Sequence, residues 1–560
     1  MMAVQEGSVA QARMMLQQLS TRDSACRLNI LEQLSACLSS LHEDVLEQRT
    51  DPFHTNSVEE GDAYIEGCLA GNCRDGVHES LLQPLTNVLR LAVQCPFKDV
   101  QEKCNSLLME YKEKGVKVPR QCGNGPSAFI PRSEFAAAQN GRDEKAKDLF
   151  IDVFLQSNRL DHLTTVMGLH PSYLEAFLRT QDFILRGDGP LPFNYRHFIA
   201  IMATARHQCS YIVRLQENEF LAQGGDPEWL RGLPFIPDKL RRLAELIKLL
   251  VHQPWLITKE HLEDLLKGPS SWALSELVQA IVLTTHFSSL AGMVFGCGIN
   301  PEIDMEGGHT CRPPSLGDDP GSPSNNNYSE ELEGASSNVE TLMQKLRELE
   351  EQTEPDETLE EKLRKFEKVE KQNVELSPPC DETCQDTADL SHYIIDPEFK
   401  YQDFAKRGEV SQIPTFKAQD YSWEDQGFSL LNRYYPDVAP MLDDKFRLAY
   451  SLTYNTMGKK EQVDTSLLRR AIWNYIHSLY GIRHDDYDYG AVNTLMDRAL
   501  KTYIKTVCCY PEKVTLSHYE SFWRDFKHSE KVHVNLMVLE AKMQASLLYS
   551  LRAVMWLYTR

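Results

Sequence analysis

The chain has 560 residues, more than one hydrophobic core usually supports, so two or more domains are expected. Its 59 basic and 81 acidic residues give a formal net charge of −22 at pH 7, which argues against bulk binding to nucleic acid or to an anionic membrane. Hydrophobic residues make up 42% and charged residues 25%, close to globular averages, so the chain as a whole is not disordered.

Amphipathic helix patterns dominate the first part of the chain. They cover residues 8–48 and 81–112, and the polar segment at 49–80 between them predicts a loop. Glycines and prolines at 115–133 indicate a connector to the next helical region.

Helix patterns continue from about residue 134 to residue 300. The most apolar window, at 277–299, contains Gln279, His286 and several hydroxyl side chains. Those polar groups favour a buried core helix over a membrane span.

An acidic segment follows. Residues 301–400 hold 26 acidic and 9 basic side chains, so this segment carries −17 of the net charge of −22. Loop-like sequence at 305–340 and 373–392 flanks a charged, helix-prone stretch at 338–372. The pattern predicts a flexible acidic linker at 305–392 with one exposed helix.

The helical signal returns from about residue 410 to residue 560 and is strongest in the final helix. Alternating strand patterns are scarce throughout, so the predicted fold class is all-α. The predicted apolar face of the final helix consists of Leu536, Leu539, Met543, Leu547, Leu551 and Val554.

The 14 cysteines are dispersed, and none has zinc-ligand spacing with another cysteine or histidine. This pattern is typical of a reduced intracellular protein, and the N-terminus lacks the features of a signal peptide. The phosphate-loop, dinucleotide-binding and metalloprotease motifs are absent from the sequence. We therefore expect no metal and no cofactor.

One cysteine has a chemically suggestive setting. An apolar helix pattern leads into Arg206, His207 and Cys209, and nearby cations favour the thiolate that acts as a nucleophile. A buried structural cysteine near a helix end is the alternative, and spacing alone favours that alternative.

A second set of residues could bind a free amino acid, which requires a carboxylate, a guanidinium and an apolar recess. Thr465 begins a predicted helix that carries Arg469 at the edge of its apolar stripe, and Glu530 lies where the last helix begins. Each also has a structural explanation, as a helix cap, a surface charge or a helix-dipole partner. Spacing alone does not bring the three together.

Several long motifs resemble the sestrin family. A CPFKDVQEK segment at 95–103 is similar to family members that have a long N-terminal extension. The motifs that carry the resemblance are GPSAFIP at 125–131, VMGLHP at 166–171, ARHQCSY at 205–211, GGDPEWL at 224–230, HQPWLITKEH at 252–261, DTSLLRRAIWNYIH at 464–477, DDYDYG at 485–490 and HSEKVHVNL at 528–536.

The resemblance implies an all-α fold of two similar helical halves, which resembles the alkylhydroperoxidase-D and carboxymuconolactone-decarboxylase fold. It predicts a helical, partly disordered extension at 1–118 and an N-terminal helical domain at 119–304. The acidic linker at 305–392 would then join this domain to a C-terminal ligand-binding domain at 393–560.

In that fold the N-terminal half carries a catalytic cysteine, and the resemblance assigns this role to Cys209, with Tyr211 beside it. Ile212 stands where bacterial relatives have a resolving cysteine, and Gln216 stands where the family has a relay histidine. Glutamine cannot exchange a proton near neutral pH. An alkyl hydroperoxide reductase is therefore kept as the alternative function.

The family comparison also implies a leucine site. Glu530 would bind the ammonium group, Arg469 the carboxylate, and Trp523 would line the side-chain recess under a threonine latch. The resemblance thus implies an intracellular leucine sensor that restrains signalling by the target-of-rapamycin complex. The residues that match the family's leucine site are Thr453, Tyr454, Asn455, Thr456, Thr465, Arg469, Trp523 and Glu530.

A partner surface is implied as well. Asp485 and Asp486 would contact the second GATOR subcomplex when leucine is absent, and Arg498, Lys501 and Lys505 share a helix face that could form a second patch. Rag-type GTPases and redox-signalling proteins are further expected partners. The expected location is the cytoplasm, and also the nucleus.

Overall fold

The computed structural model describes the residue ranges 11–12, 14–50, 79–119, 125–139, 143–304, 339–351, 358–376, 389–409, 413–452 and 456–558. Most of the loops predicted at 49–80 and 305–340 lies outside these ranges. Within them, regular structure is almost entirely α-helical, which confirms the predicted all-α class.

Contacts divide the chain into two compact units. Unit 1 comprises residues 1–126, 131–168 and 301–306, and unit 2 comprises residues 127–130, 169–300 and 307–560. The domain boundaries proposed from the sequence, at 118, 304 and 392, stay predictions.

Unit 1 is built on a hydrophobic core in which α1, α2 and α3 pack against one another. Leu31, Leu34 and Leu38 of α1 are fully buried there, as are Val88 and Leu91 of α2. The α-helices described in this unit are α1 (Ser24–Thr50), α2 (Glu79–Gln94), α3 (Lys98–Glu113), α4 (Arg132–Gln139), α5 (Glu144–Ser157) and α6 (His162–Met167).

Unit 2 begins with helices that lead to the long core helix α12. The α-helices described before the acidic segment are α7 (Pro171–Arg186), α8 (Phe193–Ala205), α9 (Ser210–Ala222), α10 (Asp238–His252), α11 (Lys259–Leu266) and α12 (Leu274–Gly296). Those described after residue 338 are α13 (Val339–Glu351), α14 (Leu359–Val374), α15 (Phe428–Tyr434), α16 (Val438–Ser451), α17 (Ser466–Leu479), α18 (Gly490–Leu495), α19 (Arg498–Cys509), α20 (Leu516–Ser521) and α21 (His528–Trp556).

The strands that the structure describes are two residues long each. β1 (Phe416–Lys417) pairs in parallel with β4 (Ile482–Arg483). β2 (Thr456–Met457) and β3 (Lys460–Glu461) form an antiparallel hairpin. This hairpin matters for the site described below, since it carries one wall of a pocket.

Two long helices, α12 and α21, pack along each other in the core of unit 2. By length and composition α12 could cross a membrane, but the whole of its most apolar window is buried inside the protein. The burial of α12 is the arrangement that the sequence predicts for a core helix. The apolar face predicted for α21 is buried too, with Leu536, Leu547 and Leu551 fully inaccessible.

The acidic segment contains two described helices, α13 and α14, where the sequence predicts one. Thr358 and Glu361 form a capping box at the start of α14, a Thr-x-x-Glu signal that is readable in the sequence. The two helices are also less exposed than the prediction states. Leu342 of α13 and Phe366 of α14 are almost completely buried, and both helices pack against α18.

Candidate functional site

A pocket in unit 2 holds about 450 Å³ of empty space, part of it open to solvent. Segments distant in sequence build it: the end of α16, the β2–β3 hairpin, α17, the segment after α20, and the first turns of α21. Its lining residues are Leu452, Thr456, Met457, Thr465, Leu468, Arg469, Ile472, Trp523, Phe526, Glu530, His533, Val534 and Met537.

Glu530 provides the pocket's carboxylate from the first turn of α21. Its Oε1 accepts hydrogen bonds from the Thr456 hydroxyl at 3.0 Å and from the Gly458 N–H at 3.0 Å. Its Oε2 accepts the Lys527 N–H at 2.8 Å, which caps the helix N-terminus. The carboxylate therefore connects the β2–β3 hairpin to α21, in a position where the helix dipole favours negative charge.

Arg469 provides the guanidinium from α17. Its Nε donates to the Thr465 hydroxyl at 3.1 Å, and its Nη1 donates to the Tyr450 carbonyl at the end of α16. The Thr465 hydroxyl forms no helix-capping hydrogen bond, so it orients the arginine instead of serving the cap that its position allows. The other N–H groups of Arg469 form no hydrogen bond with a described residue, and they are available to a ligand carboxylate.

The two charged groups are both buried. Glu530 is 9% exposed and Arg469 is 8% exposed, yet neither forms an ion pair with the other or with another residue in the described ranges. Burial lowers the pKa of Arg469, although the guanidinium stays charged. A buried cation and a buried anion that are not paired with each other are complementary to a small zwitterion, because its two charges would each find a partner.

An aromatic wall lies beside these charges. The Trp523 and Phe526 rings stack with centroids 4.3 Å apart, and Trp523 is only 5% exposed. The backbone of Trp523 has φ +48°, a left-handed conformation that is unfavourable for a bulky side chain. Such strain persists only where the surroundings impose it, and it is frequent at ligand sites.

His533 is one turn beyond Glu530 on the same face of α21. Its Nε2 lies 2.8 Å from the Ala449 carbonyl oxygen, so this nitrogen carries the proton and donates it. Burial lowers the pKa of His533 to about 4, despite the Ala449 hydrogen bond that favours the charged form. The ring is therefore neutral at physiological pH and adds no charge to the pocket.

The structure thus brings Thr456, Thr465, Arg469, Trp523 and Glu530 to one pocket. Three further residues of the predicted site, Thr453, Tyr454 and Asn455, lie outside the described residues. Sequence reasoning missed other lining residues of α21, which follow Glu530 at helical spacing. The missed residues of this helix are His533, Val534 and Met537.

Cys209 lies elsewhere in unit 2, immediately before α9. It is fully buried, and burial raises the pKa of its thiol to about 12, although the backbone N–H groups of Ile212 and Tyr211 act in the opposite direction. Tyr211 is fully buried as well. Gln216, at the relay position, lies with its Oε1 2.8 Å from Nδ1 of the buried His197.

Arg206 and His207 do not favour a thiolate at Cys209 in this structure, and Cys209 has the buried setting of the structural alternative that spacing alone favours. The Arg206 guanidinium is directed to backbone carbonyls, including that of Phe399 at 2.5 Å. Burial and the nearby Lys542 ammonium lower the pKa of His207 well below its usual value, so this ring is neutral. Neither side chain contributes to the ionisation of Cys209.

The proposed partner residues differ in exposure. Asp486 has a side chain that is 65% exposed and pairs with Arg470 at 3.0 Å. Asp485 is less exposed, at 22%, and accepts from Arg483 Nε at 2.6 Å. Both lie in the loop between β4 and α18, and Arg470, the partner of Asp486, neighbours Arg469 on α17.

The three cations predicted to share an exposed face do not share one. Arg498 is exposed, but burial lowers the pKa of Lys501 to about 8, and its Nζ donates to Asn493 at 2.5 Å. Lys505 is completely buried and pairs with Asp403 at 2.6 Å. Of the three, only Arg498 is available to a partner in this structure.

Comparison with known proteins identifies the family. Residues 125–558 match the family described as PA26 p53-induced protein (sestrin). Sestrin-1 of Macaca fascicularis is 54% identical over 457 residues, covering 79% of this chain and 92% of the relative. Sestrin-2 of Homo sapiens is 51% identical (78% and 91% covered), and Sestrin-3 of Mus musculus is 50% identical (79% and 94% covered). The chain belongs to the sestrin family.

Proposed function

We propose that this protein binds free leucine in the pocket of unit 2 and that leucine controls its association with a protein partner. The observation that carries the proposal is the pair of buried, mutually unpaired charges, Glu530 and Arg469, beside an apolar wall. A free α-amino acid offers an ammonium and a carboxylate on one carbon, which matches two opposite charges in one pocket.

In the proposed complex the ligand ammonium binds Glu530, and the ligand carboxylate binds the N–H groups of Arg469 that have no described partner. The branched aliphatic side chain then packs on apolar side chains, which exclude water from the charges and strengthen both contacts. Thr456 sits on the hairpin beside Glu530 and would close over the ligand. The apolar side chains that would contact it are Leu468, Ile472, Trp523, Phe526 and Met537.

The proposed partner is the second GATOR subcomplex, upstream of the target-of-rapamycin complex, as implied by the family. What supports this step is the exposure of Asp486 and its ion pair with Arg470, which neighbours the pocket residue Arg469 on α17. Leucine can release the partner only if it binds more tightly to the conformation that the partner does not bind.

Calorimetric titration with leucine tests the pocket. We expect binding by the native protein and at least a roughly 100-fold weaker affinity in Glu530→Ala and in Arg469→Ala, since each leaves a ligand charge buried without a partner. Arg470→Ala removes the neighbouring, partly exposed arginine and is the matched control, with affinity unchanged. Native affinity in either pocket variant would contradict the assignment, and partner capture that is insensitive to leucine would contradict the switch.

Peroxide reduction at Cys209 is the alternative implied by the family. No observation favours it, because the thiol is buried, its pKa is raised, and the two flanking basic side chains do not promote its ionisation.

A further inference from the structure

We propose that Gly458 is a positioning residue of the leucine site: its peptide N–H holds the Glu530 carboxylate in the orientation that receives the ligand ammonium. This inference rests on the proposed function and adds a residue that provides no side chain to the pocket. Three features support it, namely the turn that carries Gly458, the hydrogen bonds of its N–H, and the space around its α-carbon.

The turn determines where the N–H points. Met457 pairs with Lys460 across the hairpin, so Gly458 and Lys459 form a two-residue loop. Gly458 has φ +61°, whereas Lys459 does not have a positive φ. A two-residue hairpin turn with a left-handed first position is characteristic of type II′, in which glycine is strongly preferred at that position.

The N–H of Gly458 is shared between both carboxylate oxygens of Glu530, at 3.0 Å and 3.1 Å. The Thr456 hydroxyl from the same hairpin and the Lys527 N–H from the start of α21 complete the set of donors. Donors from two separate elements restrict the rotation of the carboxylate. A group fixed in this way loses less conformational freedom when a ligand cation binds.

The surroundings exclude a side chain at this position. A Cβ on residue 458 would lie 2.7 Å from the Asp525 carbonyl oxygen and 3.2 Å from Val339 Cγ2. The Asp525 oxygen belongs to the backbone that leads into α21, so it cannot move aside without moving the helix start. Val339 begins α13, so a helix of the acidic segment backs the hairpin on its outer side.

The test compares Gly458→Ala with Lys459→Ala, which changes the exposed neighbour in the same turn. We expect the leucine dissociation constant to rise at least about tenfold in Gly458→Ala and to stay unchanged in Lys459→Ala. The affinity for 4-methylpentanoate, which is leucine without its ammonium group, is measured by competition and should change less than about twofold, because that ligand makes no ammonium contact with Glu530.

A general loss of folding would weaken both ligands equally and lower the ligand-free thermal midpoint, and that result would overturn the inference. If the native protein binds leucine and Gly458→Ala binds it equally well, the inference fails while the proposed function stands. Failure of the native protein to bind leucine removes the proposed function, and the inference with it.

A second measurement needs no ligand and no change at Gly458. Hydrogen–deuterium exchange of the 456–461 segment is followed in the native protein and in Glu530→Ala. Since Glu530 is the described acceptor of the Gly458 N–H, we expect this amide to exchange at least about tenfold faster in the variant. Unchanged exchange would show that the carboxylate and the hairpin are not joined and would overturn the inference.

Discussion

Cys209 and the Glu530–Arg469 pocket lie in the same unit and both have the residue types for chemistry, but their surroundings differ. The pocket holds two buried charges beside empty space that is partly open to solvent. Cys209 is fully buried, and neither Arg206 nor His207 offsets the cost of ionising its thiol. The same cause, desolvation, therefore prepares one region for a charged ligand and suppresses the reactivity of the other.

This difference shows that a side chain's role depends on what its environment leaves unsatisfied. Arg469 and Glu530 are buried charges without an ion-pair partner among the described residues, so the opposite charges of a zwitterion can pair with them. Arg206 and His207, which the sequence places beside Cys209, are instead occupied by backbone carbonyls or held neutral. Proximity in sequence to a cysteine is not enough to make a thiolate.

The largest expected effect concerns thiol reactivity. With a pKa of about 12, Cys209 is almost wholly protonated at pH 7.5, so we expect alkylation by iodoacetamide to be about 10³-fold slower than for an ordinary thiol of pKa about 8.5. Mass spectrometry of the labelled native protein measures the rate. Cys26, which is exposed, is the control within the same chain. If Cys209 were labelled as fast as Cys26, the conclusion that burial suppresses the reactivity of Cys209 would be wrong.

A smaller effect is expected on stability, where removing a buried charge that has an ion-pair partner should cost more than removing one that has none. Lys505→Met leaves the Asp403 carboxylate buried without its cation and should lower the free energy of unfolding by about 3–5 kcal/mol. Arg469→Met removes a buried cation that has no acidic partner among the described residues, so the loss should be only about 1–2 kcal/mol, from two hydrogen bonds.

Thermal and urea midpoints of the ligand-free variants measure this difference. Arg498→Met, at the exposed start of the helix that carries Lys505, is the control and should change stability by less than about 0.5 kcal/mol. If Lys505→Met and Arg469→Met lowered the free energy of unfolding equally, Arg469 would be a charge that stabilises the fold. The proposal that it is kept for a ligand would then fail.

The smallest effect concerns pH. Because burial lowers the pKa of His533 to about 4, the ring is neutral above about pH 5, and its charge does not change between pH 6 and pH 8. We therefore expect the leucine affinity to vary less than about threefold over this range. Over the same range the alkylation rate of Cys209 should rise about tenfold per pH unit, since its thiolate fraction grows up to pH 12.

Calorimetry at pH 6, 7 and 8 checks this expectation, with His533→Gln as the variant that cannot titrate. A steep loss of affinity at pH 6 that disappears in His533→Gln would show that the histidine becomes charged in the pocket. The leucine affinity would then depend on pH in a way that the burial of His533 does not predict.

The acidic segment shows what the spacing of apolar residues can and cannot predict. Its thin apolar stripe identifies Leu342 and Leu346 of α13, and both are buried. The charge pattern of the segment nevertheless predicts a flexible linker with one exposed helix. In the structure Phe366 of α14 packs edge-on against Tyr489 at 4.8 Å, and Lys365 pairs with Asp488 at 2.9 Å. The charge composition of a segment indicates its solubility. It does not show which of its few apolar side chains pack against the rest of the protein.

The sequence by itself determined the all-α class, the apolar faces of the long helices and the membership of the sestrin family, because these depend on local spacing and on long shared motifs. The tertiary structure decided which residues meet: it joins Thr456, Arg469 and Glu530, buries Lys505, and leaves Cys209 protonated. Ionisation, pairing and empty space depend on atoms contributed by distant segments, and no local pattern encodes how those segments pack.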